Sequence, residues 1–205
     1  MERRVLLTGL AVLAATPALA QSAPATTGTP AANPPMPAPA PAMKIGAPMS
    51  MSDAQKKHVM DTLAAGSLSL ALSRIALTKV KHPMLKQFAG FEVAEQETIA
   101  NILKQMQMPG GIPSSAVIPP TETEVASNLD ATGKTVVEKM QAMKAGPAFD
   151  RDYIKAQVDG HKLLLDIQEA YLKAPDNADE THVAMLAKGM IREHLALLGD
   201  LERMG

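Results

Sequence analysis

Alternating steps of three and four residues dominate the apolar pattern between His82 and Met108. The stripe consists of Leu85, Phe88, Glu92, Glu95, Ile99, Ile102 and Met106. This spacing places all seven side chains on one face of an α-helix. Two carboxylates therefore interrupt an otherwise apolar face. A buried carboxylate is costly, so the pair is expected to have a proton, a cation, a metal or water as its partner.

Similar patterns predict three more long helices. The first begins at a capping box formed by Ser52 and Gln55 and runs to about Lys81. The third runs from Gly146-Pro147 to about Lys173, and its apolar stripe includes His161 and Gln168. The fourth runs from about Asp179 to Arg203, with a predicted buried face of Val183, Leu186, Met190, His194, Leu197, Leu201 and Met204. His161 and His194 are thus both expected in the core.

The connections between these helices predict the topology. Short turns at His82-Pro83 and Pro175-Asp176-Asn177 join the first pair and the last pair. Between them, a crossover that begins at Pro109 and reaches Gly146 includes a short helix capped by Thr121 to Glu124 and a second over 134–143. It is long enough for the third helix to run parallel to the second. The predicted fold is all-α, a ferritin-like four-helix bundle with one long crossover between helices two and three.

Composition narrows the function classes. The chain has no cysteine, which excludes disulfides, cysteine-based zinc sites and thiol nucleophiles. Aromatic residues make up 2% of it, and the formal net charge is −1, without a basic stripe, so nucleic acid is not an expected partner. It shows no nucleophile elbow, phosphate loop or dinucleotide-binding glycine pattern.

The N-terminus predicts export. Residues 1–20 have the basic start, apolar centre and small-residue cleavage site of a secretory signal peptide, with cleavage near Ala20. Residues 21–51 form a predicted disordered tether rich in Pro and Ala, and residues 52–205 the bundle domain. The expected location is periplasmic or secreted, without a transmembrane segment. Ordinary secretion and twin-arginine export both fit Arg3-Arg4. Met49-Ser50-Met51 makes copper a lesser candidate cofactor.

A polar layer is expected at one level of the bundle. Counted from the two turns, Ser69, Glu95, His161 and His194 fall at similar heights. One interpretation is a hydrogen-bonded layer of Glu92, Glu95, Gln96, His161, Glu193 and His194 that sets helix register. The other is a site for a divalent metal (Fe, Mn or Zn) with Glu92, Glu95, His161 and His194 as ligands, although the chain lacks a Glu-x-x-His motif. His58, His82 and His182 are predicted to lie on the surface.

Several segments together resemble a known family. They are Phe88-Ala89, Val93-Ala94-Glu95-Gln96, Phe149-Asp150-Arg151-Asp152-Tyr153, Gln157-Val158-Asp159-Gly160-His161 and Arg192-Glu193-His194-Leu195. They resemble domain-of-unknown-function family 4142, whose members are described as outer-membrane or envelope proteins. The resemblance implies a ferritin-like fold and no established activity. That family commonly has Glu at the position of Ser69 and Asp-His at that of Glu95-Gln96, so this chain offers fewer ligands.

The combined expectation is an exported bundle protein that acts by binding rather than by catalysis. The alternatives are a divalent-metal or redox protein that uses the polar layer, and an envelope interaction or chaperone-like module with a protein partner.

Overall fold

The computed structural model describes residues 50–107 and 118–204. These residues form six helices and no strand, which confirms the all-α prediction. The helices are α1 (Asp53–Lys79), α2 (Pro83–Met106), α3 (Glu122–Ser127), α4 (Ala131–Ala142), α5 (Pro147–Leu172) and α6 (Ala178–Met204). The predicted signal peptide, nearly all of the tether and the first part of the crossover lie outside the described residues.

Local capping chemistry explains where the helices begin. The Ser52 hydroxyl accepts a hydrogen bond from the Gln55 amide, and the Gln55 side chain accepts one from the Ser52 amide. Thr121 and Glu124 form the same capping box at α3. Pro83 and Pro147 occupy first-turn positions of α2 and α5, where a missing backbone donor costs nothing. The predicted starts of α1, α2, α3 and α5 are therefore confirmed.

Contacts between side chains give the direction of each long helix. Ser69 of α1 meets Gln157 of α5 and Ser73 meets Tyr153, so α1 is antiparallel to α5. Ser69 also meets Glu92 of α2, and Gly66 lies against Gln96, so α1 is antiparallel to α2 as well. His161 of α5 meets His194 of α6, while Glu169 meets Arg192 nearer the turn, so this pair is antiparallel as well. Helices α2 and α5 consequently run parallel, as the long crossover predicts.

The crossover helices pack mainly on α1, and α4 also touches α5. The ammonium group of Lys79 donates to the carbonyl oxygens of Met140, Gln141 and Met143 at 2.6–2.7 Å. These are carbonyls at the end of α4 that have no partner within the helix. The last residue of α1 thereby satisfies the C-terminus of α4.

Two apolar clusters lie on either side of a polar layer. One cluster is built around Leu72, Phe88, Tyr153 and Leu198, and the other around Ala65, Leu164, Ala187 and Ile191. On α5 and α6, Gln157, His161 and His194 fall between the two clusters. Burying polar groups there is tolerable only if each has a partner.

The predicted buried face of α6 is partly wrong. Leu186 is 70% exposed, Leu197 40% and Met204 53%, whereas Ala184, Ala187, Ile191 and Leu198 face the core. Small alanines let α6 approach its neighbours closely, so the buried stripe is centred about one position away from the large leucines. His194 belongs to both versions of the stripe and is buried, as predicted.

Among the helices described, none combines the length and the apolar character that crossing a membrane would require.

Candidate metal centre

Three ligand-type atoms converge at the centre of the polar layer. Glu92 Oε2 lies 3.1 Å from His161 Nε2 and 2.9 Å from His194 Nδ1. The two imidazole nitrogens are 3.1 Å apart. The three atoms form a nearly equilateral triangle contributed by α2, α5 and α6, and all three residues are at most 5% exposed. We call Glu92, His161 and His194 the triad.

Each triad residue is held from behind by a second polar contact. His161 Nδ1 donates to the Gln157 carbonyl oxygen at 2.8 Å, which leaves Nε2 to face the triangle. The Nε2 atom of His194 lies 3.3 Å from Glu95 Oε1, which leaves Nδ1 to face it. Partners of this kind fix the tautomer and the ring orientation of metal-binding histidines.

The carboxylate of Glu92 is fixed by α1. The Ser69 hydroxyl lies 2.6 Å from Glu92 Oε1 and 2.5 Å from Gln157 Oε1, and its single proton serves one of these acceptors at a time. Gln157 in turn donates to Ser73 Oγ, which is 2.8 Å from the Tyr153 hydroxyl. Glu92 Oε2 has no well-aligned hydrogen bond within the described residues, despite its two close nitrogens.

Electrostatics favour a positive charge at the triangle. Burial alone would raise the pKa of Glu92, but the neighbouring imidazoles of His161 and His194 lower it well below its usual range. Burial alone would lower the pKa of His194, but Glu92 and Glu95 raise it to about 9. At neutral pH the metal-free protein therefore carries a proton on His194 beside an ionised Glu92.

The other predicted site residues lie further out. Glu95 is on the far side of the His194 ring from Glu92, with 32% of its side chain exposed, so it supports a ligand instead of joining the triangle. Gln96 is half-buried and lines a cavity beside the triad. Glu193 is exposed and takes no part in the polar layer. The structure thus brings together three of the four predicted ligands.

The predicted surface position of His58 is wrong, while His82 and His182 are exposed as expected. His58 is 3% exposed, stacks on Tyr171, and lies against the fully buried Glu180 of α6. His58 Nε2 also lies 2.8 Å from Gln168 Oε1. Glu180 is 122 positions away along the chain, so neither apolar periodicity nor local motifs could reveal this pair.

Comparison with known proteins adds the family. The family model for "Domain of unknown function (DUF4142)" matches residues 40–201. This chain belongs to the DUF4142 family. The match includes all six helices almost to their ends, and therefore the whole triad.

One solved structure shows a related fold. The crystal structure of a DUF305 fragment from Deinococcus radiodurans is 14% identical, with a TM-score of 0.57, and the match covers 76% of this DUF4142 chain and 99% of that chain. At this identity the likeness concerns the fold alone. No curated protein matches the chain.

Proposed function

We propose that this DUF4142 protein binds one divalent transition metal through Glu92, His161 and His194, and that it does so in the bacterial envelope. The convergence of one carboxylate oxygen and two imidazole nitrogens, 2.9–3.1 Å apart in a buried layer, carries the proposal. The envelope location rests on the signal-like N-terminal sequence.

The ligand set of the triad favours Fe(II) or Mn(II). At metal–ligand distances of about 2.1 Å, adjacent ligands are about 3.0 Å apart around an octahedral ion and about 3.4 Å apart around a tetrahedral one. The metal-free separations of 2.9–3.1 Å are hydrogen-bond lengths, and they would have to change little to reach the octahedral value. Two histidines and one carboxylate on a single face are the ligand set of non-haem Fe(II) sites.

A cation would also complete the bonding of the polar layer. With His161 Nδ1 bonded to a carbonyl and His194 Nε2 facing Glu95, the inner nitrogens present lone pairs unless they are protonated. A metal ion can accept lone pairs from all three atoms at once, whereas a proton can form a hydrogen bond between only two of them. The metal-free state, with its proton on His194, is the register-setting polar layer that the sequence also allows.

Metal titration of the exported chain, stripped with chelator, tests the proposal. Anaerobic calorimetry with Fe(II), and separately with Mn(II), should give about one metal per chain. Two single variants test the ligands. Glu92→Gln keeps the side-chain shape but loses the charge, and His161→Ala removes an imidazole. Each should weaken metal binding by more than about 100-fold, because each alters a direct ligand. Bound metal should also raise the melting temperature.

Exposed histidines provide the matched controls. His82→Ala and His182→Ala should bind metal like the unchanged protein. If Glu92→Gln and His161→Ala retained full binding, or if no metal bound to any form, the triad would be a register-setting layer only. Binding of an envelope partner stays a prediction.

A further inference from the structure

A small cavity lies directly beside the triad. Its volume is about 20 Å³, and its lining includes the rings of His161 and His194 and the side chain of Glu95. About 10–15 Å³ on this measure is enough for one water molecule. The cavity therefore has room for one or two heavy atoms and excludes an organic substrate.

The cavity has the polar groups that a small bound ligand needs. Thr62 Oγ1 accepts a hydrogen bond from Gln168 Nε2 at 3.0 Å, which leaves the Thr62 hydroxyl proton for another acceptor. Gln96 and Glu95 add an amide and a carboxylate to the same lining. Gln168 itself is tied to His58, so this wall is held by a second buried network.

Among the described residues, the rim of the cavity is partly open to solvent. Met190 and Ile99 are half-buried, and Glu95 has 32% of its side chain exposed. Small molecules can therefore reach the cavity between α2 and α6 without unfolding of the helices. The remaining walls are apolar residues such as Ala187 and Leu164, which are closely packed.

We propose that a metal held by the triad keeps a coordination position open toward this cavity, and that the position takes a ligand of one or two heavy atoms. The ligand class comprises water or hydroxide and diatomic molecules such as dioxygen and nitric oxide. This inference rests on the proposed metal binding. Three ligands on one face of an octahedral ion leave the other positions free, and the cavity borders two of those ligands.

Nitric oxide is the probe that tests the proposal. The Fe(II)-loaded chain, exposed anaerobically to nitric oxide, should give the EPR signal of a ferrous nitrosyl in proportion to bound iron. Imidazole, which is larger than the cavity, should neither bind to the iron nor compete with nitric oxide. If imidazole bound to the iron as well as nitric oxide does, the limit of one or two heavy atoms would be wrong, and the proposal with it.

Variants that fill the cavity separate ligand binding from metal binding. Ala187→Leu adds volume to the closely packed wall and Met190→Phe adds it at the half-buried rim, so that one variant tests the cavity if the other fails to fold. Either should still bind one Fe(II) per chain but lose at least about tenfold in nitric oxide affinity. Ala196→Leu, on the exposed side of α6, is the matched control and should behave like the unchanged chain.

The outcomes distinguish this inference from the proposed function. Iron bound at one per chain without a nitrosyl signal would overturn the open position while leaving metal binding intact. Absence of iron binding would overturn the proposed function itself. Undiminished nitric oxide binding in both filled variants would show that the ligand does not occupy this cavity.

Discussion

Ser69 is the residue through which α1 supports the triad. Its hydroxyl reaches Glu92 Oε1, the oxygen that does not face the two imidazoles. Ser69→Ala should leave this buried oxygen without its partner, and loss of such a supporting contact lowers metal affinity by about 10–100-fold. Calorimetric titration with Mn(II) measures the effect.

A neighbouring serine supplies the control for that variant. Ser67 is also buried, but its hydroxyl accepts from Asn128 near the end of α3 and does not contact the triad. Ser67→Ala should therefore leave Mn(II) affinity unchanged. Equal loss in both variants would mean that Ser69 acts through general stability.

The charge of His194 predicts a pH dependence of the metal-free protein. Its folded pKa of about 9 exceeds the ordinary 6.5, so its contribution to stability is complete below about pH 6.5 and is lost as pH rises through 9. The lowered pKa of Glu92 has the opposite effect, because its contribution is lost as pH falls below about 4.5. Urea unfolding in the presence of chelator should show both slopes.

Metal affinity should rise with pH in the alkaline range, where the stability of the metal-free protein falls. A metal must displace the proton from His194, so affinity rises between about pH 6.5 and 9 while metal-free stability falls. The variant His194→Gln should lose the alkaline slope of stability. A profile of the unchanged chain that is flat over this range would contradict the assigned charge.

At the scale of the helices, glycines inside α2, α5 and α6 have room for a side chain. A Cβ added at Gly90, Gly160 or Gly189 would meet no atom within 4 Å. Glycine in a helix interior costs about 0.5–1 kcal/mol relative to alanine, so each Gly→Ala change should raise the free energy of unfolding by about that amount. Urea unfolding of the three variants measures it.

Gly66 of α1 makes an informative contrast. A Cβ there would collide with the amide oxygen of Gln96, which lies directly over it. Because that oxygen is at the end of a flexible side chain, Gly66→Ala should fold, with a smaller gain than Gly160→Ala. An equal gain would indicate that Gln96 moves aside at no cost.

The accuracy of the sequence predictions differs between helix ends and helix faces. Starts such as Ser52 and Thr121 were predictable because a cap depends on residues three positions apart. The buried face of α6 was harder to predict. Large apolar side chains suggest burial, but in this helix the small residues Ala184 and Ala187 face the core. His161 and His194 were predictable because each interrupts an apolar stripe.

At the scale of the whole molecule, the pair of His58 and Glu180 links the starts of α1 and α6. His58 Nε2 donates to Gln168 Oε1, and His58 Nδ1 lies in direct contact with the buried Glu180 carboxylate. Removing one of these two side chains leaves the other buried without its polar partner. His58→Ala should therefore destabilise the protein by roughly 3–5 kcal/mol without changing the number of metal ions bound.

A double variant tests whether the stranded group causes that loss. His58→Leu combined with Glu180→Leu removes both polar partners and should be more stable than His58→Ala. Thermal unfolding in the presence of chelator compares them. If the double variant were less stable than His58→Ala, the contact between His58 and Glu180 would stabilise the fold by more than the desolvation of the two side chains costs.

Within the described residues, α3 and α4 pack mainly on α1 and α5, and the cavity beside the triad opens at the seam between α2 and α6. Dissociation of a bound ion would then require only rotation of side chains at this seam. We expect the dissociation rate constant to exceed the unfolding rate constant and to be insensitive to stabilising changes such as Gly160→Ala. Such an ion would be kinetically labile, so the protein is suited to exchange its metal with the surroundings during its lifetime.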